Sequence, residues 1–226
     1  MSMEEISGKS PNAERANRIL DAAAELISHY GYDKTTVSDI ARQAGVSKGA
    51  IYLHWDSKET LFEALLQREL RQYADDWLEM FEADDSAWNF VGMFRIMLAT
   101  LQKHPFILAI FKRDQRVLGS YLRQDSSLLQ QKSLANTELY RLMQQAGAAR
   151  DDIEPRVIAY LLNVFAYGLI SAHEVVPPDD APSFEEALDG MAKLLDRGLA
   201  PESGGNPEAA RALIVQVVEA MRAQQS

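Results

Sequence analysis

Cysteine is absent from all 226 residues. That one absence removes disulfides, thiolate metal ligands, cysteine nucleophiles and thiol redox sensing. Long apolar runs are missing too. The most apolar segment, 157–172, is broken by Asn163 and two tyrosines and falls short of the roughly 20 residues that a membrane helix needs. There is no phosphate-cradling glycine loop and no His-Glu-x-x-His, so the common nucleotide-binding and zinc-peptidase signatures are absent. The acidic pairs Asp75-Asp76, Asp84-Asp85, Asp151-Asp152 and Asp179-Asp180 fall at expected helix ends or loops, where solvated charge is the default. His104, His173 and Glu174 are too scattered to suggest a metal site. No catalytic residue, metal or cofactor is expected. Residues 1–11 lack a basic start followed by an apolar run and read as a flexible polar tail, which points to a cytoplasmic location.

What is present is a helix-forming chain with 47% hydrophobic residues and a net charge of -10. Such acidity argues against a nucleic-acid partner until its distribution is considered. Residues 1–58 carry seven Lys or Arg against eight Asp or Glu, while the remainder carries sixteen against twenty-five. The N-terminal part is therefore nearly neutral and the acidity belongs to the rest of the chain. Apolar positions recur at helical spacings throughout, without strand-like alternation, so an all-α chain of about ten helices is expected.

Two short helical patterns flank Ala44-Gly45-Val46. Thr36 can cap the first, with Asp39 three positions on completing a capping box, and Val37, Ile40 and Ala41 share its inner face. Gly45 suits the left-handed conformation that ends this helix, and Val46 supplies an apolar plug. Ser47 can cap a second helix, with Ile51 and Trp55 inward and Lys48, Gly49, Ala50, Tyr52 and His54 outward. One cation, two small residues and two ring-borne polar groups suit a DNA groove, entered by the N-terminal end of the second helix. The motif, 36–55, reads as a helix-turn-helix.

From Arg18 to Leu65 the chain resembles the DNA-binding domain of TetR-family (TetR/AcrR-like) transcriptional regulators. The matching residues are Ile19-Leu20-Asp21-Ala22-Ala23, Leu26, Tyr30-Gly31-Tyr32, Thr35-Thr36-Val37, Ile40-Ala41, Ala44 to Gly49, Ile51-Tyr52, His54-Trp55, Ser57-Lys58-Glu59 and Leu61-Phe62. The resemblance assigns Thr36, Tyr52, His54 and Lys58 to phosphates and Ser47, Lys48, Gly49 and Ala50 to the base-facing end. Lys48 has the reach to bond a guanine edge, and equally to hold a phosphate. Trp55 stands where the family usually has Phe and reads as a core residue.

The resemblance further implies a DNA-binding domain over 12–58 and a helical ligand-binding and dimerisation bundle over 59–226. The helix from Ser57 towards Phe81 links them. The expected bundle helices place Phe90, Phe94, Met97, Leu101, Phe106, Phe111, Tyr121, Tyr140, Asn163, Phe165 and Tyr167 around a largely apolar effector pocket, with plain core packing the default for each alone. In this family the helix corresponding to 157–172 pairs with the next one at the dimer interface. That implies Tyr160, Leu161, Val164, Gly168 and Ala172 from one helix, and Phe184, Leu188, Met191 and Leu195 from another capped by Ser183 with Glu186. The expected partners are a palindromic double-stranded operator, a small-molecule effector and a second copy of the chain, with no membrane. The contrasting expectation is a regulator or activator controlled by a protein partner or by no ligand.

Overall fold

A computed structural model of the chain describes residues 11–84, 87, 90–123, 137–172, 176–177, 179–199, 201 and 205–223. All regular structure among them is helical. In chain order the helices are α1 (Pro11–Tyr30), α2 (Val37–Ala44), α3 (Lys48–Tyr52), α4 (Lys58–Glu82), α5 (Phe90–Lys103), α6 (Pro105–Phe111) and α7 (Gln115–Leu118) with a 3-10 turn at Gly119–Arg123. Then come α8 (137–145), α9 (Pro155–Ser171), α10 (Phe184–Leu199) and α11 (Pro207–Ala223). Residues 124–136, between the 3-10 turn and α8, lie outside the described residues. No helix among the described residues is long and apolar enough to cross a membrane.

Two compact units emerge, one within Met1–Glu69 and Arg113–Gln124, the other within Leu70–Lys112 and Asp125–Ser226. The first is built on the buried residues Ile19, Ile27, Ile40, Ile51, Leu61, Phe62 and Leu65. Each such side chain contributes about 1.5–3 kcal/mol of transfer free energy. The resemblance implies a DNA-binding segment that ends at residue 58; the compact unit runs on to Glu69, and Leu61, Phe62, Leu65 and Leu66 on α4 are buried. Arg68 then ties α4 to α1 through Asp21 at 2.6 Å and the Asn17 carbonyl at 3.3 Å.

A second extension is invisible in local patterns. Residues 113–123 form a strap seated on the turn that comes after α1. Gly31, at φ 85°, ends α1, and a Cβ there would run into the Arg116 carbonyl. The Tyr32 N–H donates to the Val117 carbonyl at 2.8 Å.

In the second unit, α5 packs against α6 and α10, and α9 against α10. The expected Ser183 cap is present, with the Glu186 N–H donating to Ser183 Oγ at 3.2 Å and Glu186 Oε2 accepting from the Ser183 N–H at 2.9 Å; at the start of α11, Asn206 Oδ1 accepts from the Ala209 N–H at 3.1 Å. Asp75 and Asp76 are a correction to the reading of acidic pairs, since both lie inside α4. Asp76 Oδ2 meets the buried His104 ring nitrogen at 3.0 Å.

Candidate nucleic-acid interface

The turn between α2 and α3 forms as its residues dictate. Thr36 Oγ1 accepts from the Asp39 N–H and donates to Asp39 Oδ2, which also takes the Thr36 N–H. These bonds hold the half-buried Asp39 carboxyl below the usual carboxylate range, with the Thr36 side chain the largest cause. Gly45 sits at φ 66°, where its N–H reaches the carbonyls that end α2, and the Val46 N–H donates to the Ala41 carbonyl at 3.0 Å. Ser47 Oγ accepts from the Ala50 N–H at 3.1 Å, which starts α3. Val37, Ile40, Ala41 and Ile51 face inward together. Two helices this short stand because caps and shared apolar contacts fix them, not because of their own propensity.

With that inner side buried, the outward face is set. Lys48 and Gly49 are exposed, Ala50 and His54 half-buried, and Tyr52 is 45% exposed. Lys48 Nζ lies 5.9 Å over the Tyr52 ring. The His54 and Trp55 rings tilt together at 5.2 Å, and Trp55 is half-buried rather than a full core residue. Next to them Leu53, a position that the motif pattern leaves unassigned, is 83% exposed. Its signal was an aliphatic residue breaking the inward spacing of Ile51 and Trp55.

Two residues expected at phosphates are already engaged. The Thr36 hydroxyl is committed to the capping box. Lys58 Nζ donates to the Tyr32 carbonyl at 2.5 Å and lies 4.0 Å from the Tyr32 ring centroid. Burial pushes its ammonium pKa down, opposed by the Asp33 and Glu59 charges.

Residues 19–65 match the model of bacterial regulatory proteins, tetR family. Matches over most of the chain agree. The HTH-type transcriptional repressor Rv1474c of Mycobacterium tuberculosis is 29% identical over 161 residues, covering 70% of this chain and 82% of that protein. Residues 19–65 are thus a TetR-family segment. The HTH-type transcriptional repressor AcnR of Corynebacterium diphtheriae is 28% identical over 182 residues, covering 77% and 88% respectively. Among solved structures, the transcriptional regulator FadR of Bacillus subtilis in complex with stearoyl-CoA superposes with a TM-score of 0.58 at 21% identity, over 79% of this chain and 96% of that one. This last likeness shows a shared fold.

The residues expected around a TetR-family effector pocket separate into groups. Phe94, Leu101, Phe106 and Tyr140 are buried in the second unit, and Met97 and Phe111 are half-buried. The side chain of Phe90 lies outside the described residues. Tyr121 corrects the expectation: it packs in the first unit, its ring 4.3 Å from Phe62 and 5.8 Å from Tyr32. Asn163, Phe165 and Tyr167 are corrected as well. α9 turns Ile158, Ala159, Leu162, Ala166 and Ile170 inward, which puts these three on its exposed side, where Asn163 Nδ2 donates to the Ala159 carbonyl at 2.7 Å.

That exposed side also carries Tyr160, Leu161, Val164 and Gly168, with Ala172 exposed just beyond α9. On α10 the expected dimer residues divide. Phe184 and Met191 are half-buried, but Leu188 and Leu195 are each only 5% exposed, buried within the single chain. The outward apolar residue of α10 is Leu194, 75% exposed. Periodicity marks an apolar stripe but cannot say which side meets the chain's own body.

Proposed function

We propose that this chain is a homodimeric TetR-family repressor that reads a palindromic operator and leaves it when a small, largely apolar effector binds the second unit. The observation that carries the reading is the capped α2–turn–α3 unit, with Lys48, Gly49, Tyr52 and Leu53 exposed together beyond a rigid apolar base. Small residues at 49 and 50 permit close approach to base edges, while Tyr52, His54 and Lys58 supply donors for the backbone.

Dimerisation is supported by the outward face of α9, where Val157, Tyr160, Leu161, Val164, Phe165 and Tyr167 leave large apolar groups exposed in one chain. A contiguous patch of this kind marks an interface. Two recognition helices then meet successive major-groove faces roughly 34–36 Å apart, or a multiple of that. An apolar effector is supported by relatives. A fatty acid metabolism regulator of Bacillus subtilis is 32% identical over 115 residues, and the FadR structure holds stearoyl-CoA. Coupling of about 1–3 kcal/mol between effector and operator suffices to change DNA affinity roughly 5- to 150-fold.

The test is selection of binding sites by full-length protein from a random duplex pool, followed by titration of the enriched site against salt. An inverted repeat bound with a steep salt dependence, and released by one acyl compound of a series, is the expected result. A pool that never enriches any sequence would overturn the DNA-binding reading. An enriched site without two-fold symmetry would overturn the dimeric one.

A further inference from the structure

The strap 113–123 and the turn after α1 are joined by bonds that span 87 residues of sequence. Asp33 accepts the Ser120 N–H at 3.0 and 3.1 Å on its two oxygens and also takes the Ser120 hydroxyl. Gly119, at φ 49°, has no room for a Cβ, which would strike the Asp33 carboxylate. Gly31 presses as closely on Arg116 from the other side of the seat. Glycine thus stands at each place where any side chain would prise the strap open.

Between the latch and the DNA-reading face stands Tyr32. Its N–H is held by the Val117 carbonyl of the strap, and its own carbonyl holds Lys58 Nζ. Its hydroxyl donates to Glu59 Oε1 at 3.3 Å, and its ring centroid lies 4.0 Å from Lys58 Nζ, 4.9 Å from the Phe62 ring and 5.8 Å from the Tyr121 ring. An ammonium has three donors and the Tyr32 carbonyl takes one. A lysine already held at its tip loses less freedom when a phosphate arrives than one waving in solvent.

We propose that Ser120 and Asp33 are positioning residues for DNA binding: their latch seats the strap on Tyr32, and Tyr32 holds the Lys58 ammonium ready for a backbone phosphate. This rests on Lys58 meeting a phosphate, as in the function proposed above. It also gives that function a route of control. In the chain the strap lies between α6 and α8, both in the second unit, so an effector that draws 113–123 away unseats Lys58 without touching the recognition helix.

The experiment uses full-length protein and the duplex enriched by selection, with dissociation constants measured across a salt series for wild type, Ser120→Ala, Gly119→Ala, Lys58→Gln and the Ser120→Ala/Lys58→Gln pair. Ser120→Ala leaves the Asp33 charge in place. It is expected to weaken binding about tenfold and to flatten the salt slope by about 0.9 for each phosphate no longer neutralised. In the Lys58→Gln background it should have no further effect. Gly119→Ala should act in the same direction more strongly, and if that variant does not fold, Ser120→Ala carries the test alone. Wild-type binding by Ser120→Ala, or a loss that adds in full to that of Lys58→Gln, would overturn the latch. So would weaker binding with an unchanged salt slope and a lowered melting point, the mark of a purely structural role. If wild type enriches no site, it is the DNA-binding reading that fails, a result distinct from all of these.

Discussion

Thr36 and Asp39 bond each other reciprocally across the first turn of α2, each backbone N–H given to the other's side-chain oxygen at 3.2 Å. Thr36→Ala should therefore cost about 1 kcal/mol of unfolding free energy, measured by urea titration at neutral pH. The pair also sets a pH dependence. Because the folded-state pKa of Asp39 is lowered, the contribution is present above the unfolded value and lost as pH falls through the folded one. Asp39→Asn should flatten the acid limb of the stability curve. An acid limb as steep as wild type in that variant would remove Asp39 from the account.

Leu53 should matter to DNA and not to folding. With 83% of it exposed, Leu53→Ala is expected to leave the unfolding free energy within about 0.5 kcal/mol of wild type. Operator affinity should fall several-fold, since an aliphatic group beside the bases can bury against a thymine methyl. Replacing operator thymines by uracil should weaken wild type and leave Leu53→Ala nearly unaffected. Equal sensitivity in both proteins would place Leu53 away from the bases.

Tyr52→Phe and Lys48→Ala probe the same face by charge and hydrogen bonding. Both should fold as wild type and bind the operator more weakly, and Lys48→Ala should also lower the salt slope if it meets a phosphate, or relax the preference at one base pair if it meets guanine. Unchanged binding in both would displace the recognition surface from α3.

On the second unit, Val164→Glu and Leu194→Lys alter side chains that the single chain leaves exposed. Sedimentation should then report one chain where wild type reports two, with helicity retained. Leu188→Ala supplies the contrast. Leu188 is buried, so its truncation should cost about 2–5 kcal/mol of chain stability.

Arg113 is a non-glycine residue at φ 51°. A β-branched side chain is poorly tolerated there, so Arg113→Val should lower the unfolding free energy by about 1–2 kcal/mol relative to Arg113→Gly. Equal urea midpoints would show that the backbone relaxes.

The first unit was legible in sequence wherever its signals are local. Thr36 with Asp39, Gly45, Ser47 and the inward residues Ile40 and Ile51 all lie within 16 positions of one another, so spacing alone gives caps, turn and buried face. Tyr121 was not legible, because its neighbours Tyr32 and Phe62 are far away in sequence and no periodicity reports such a meeting. Lys58 was seen as a cation but not as one held by a carbonyl and a ring.

In α9 and α10 the limit was of another kind. A helix apolar on several sides offers more than one candidate inner face, and hydrophobicity cannot rank them. The pocket expectation puts Phe165 and Tyr167 inside, yet both are exposed; the interface expectation includes Leu195, which is buried in its own chain, while its neighbour Leu194 faces out. A shift of one residue along a helix rotates the assignment by about 100°, enough to exchange self-contact for surface.

The glycines at 31 and 119 fix more than two backbone angles. Each marks a point where the strap and the turn after α1 come too close for any side chain, so the stretch between Asp114 and Ser120 is bound to one register. A single inserted residue there would put a Cβ against Asp33 and move every later strap residue off its partner. Related chains able to seat this strap should therefore vary in sequence between those points far more readily than in length.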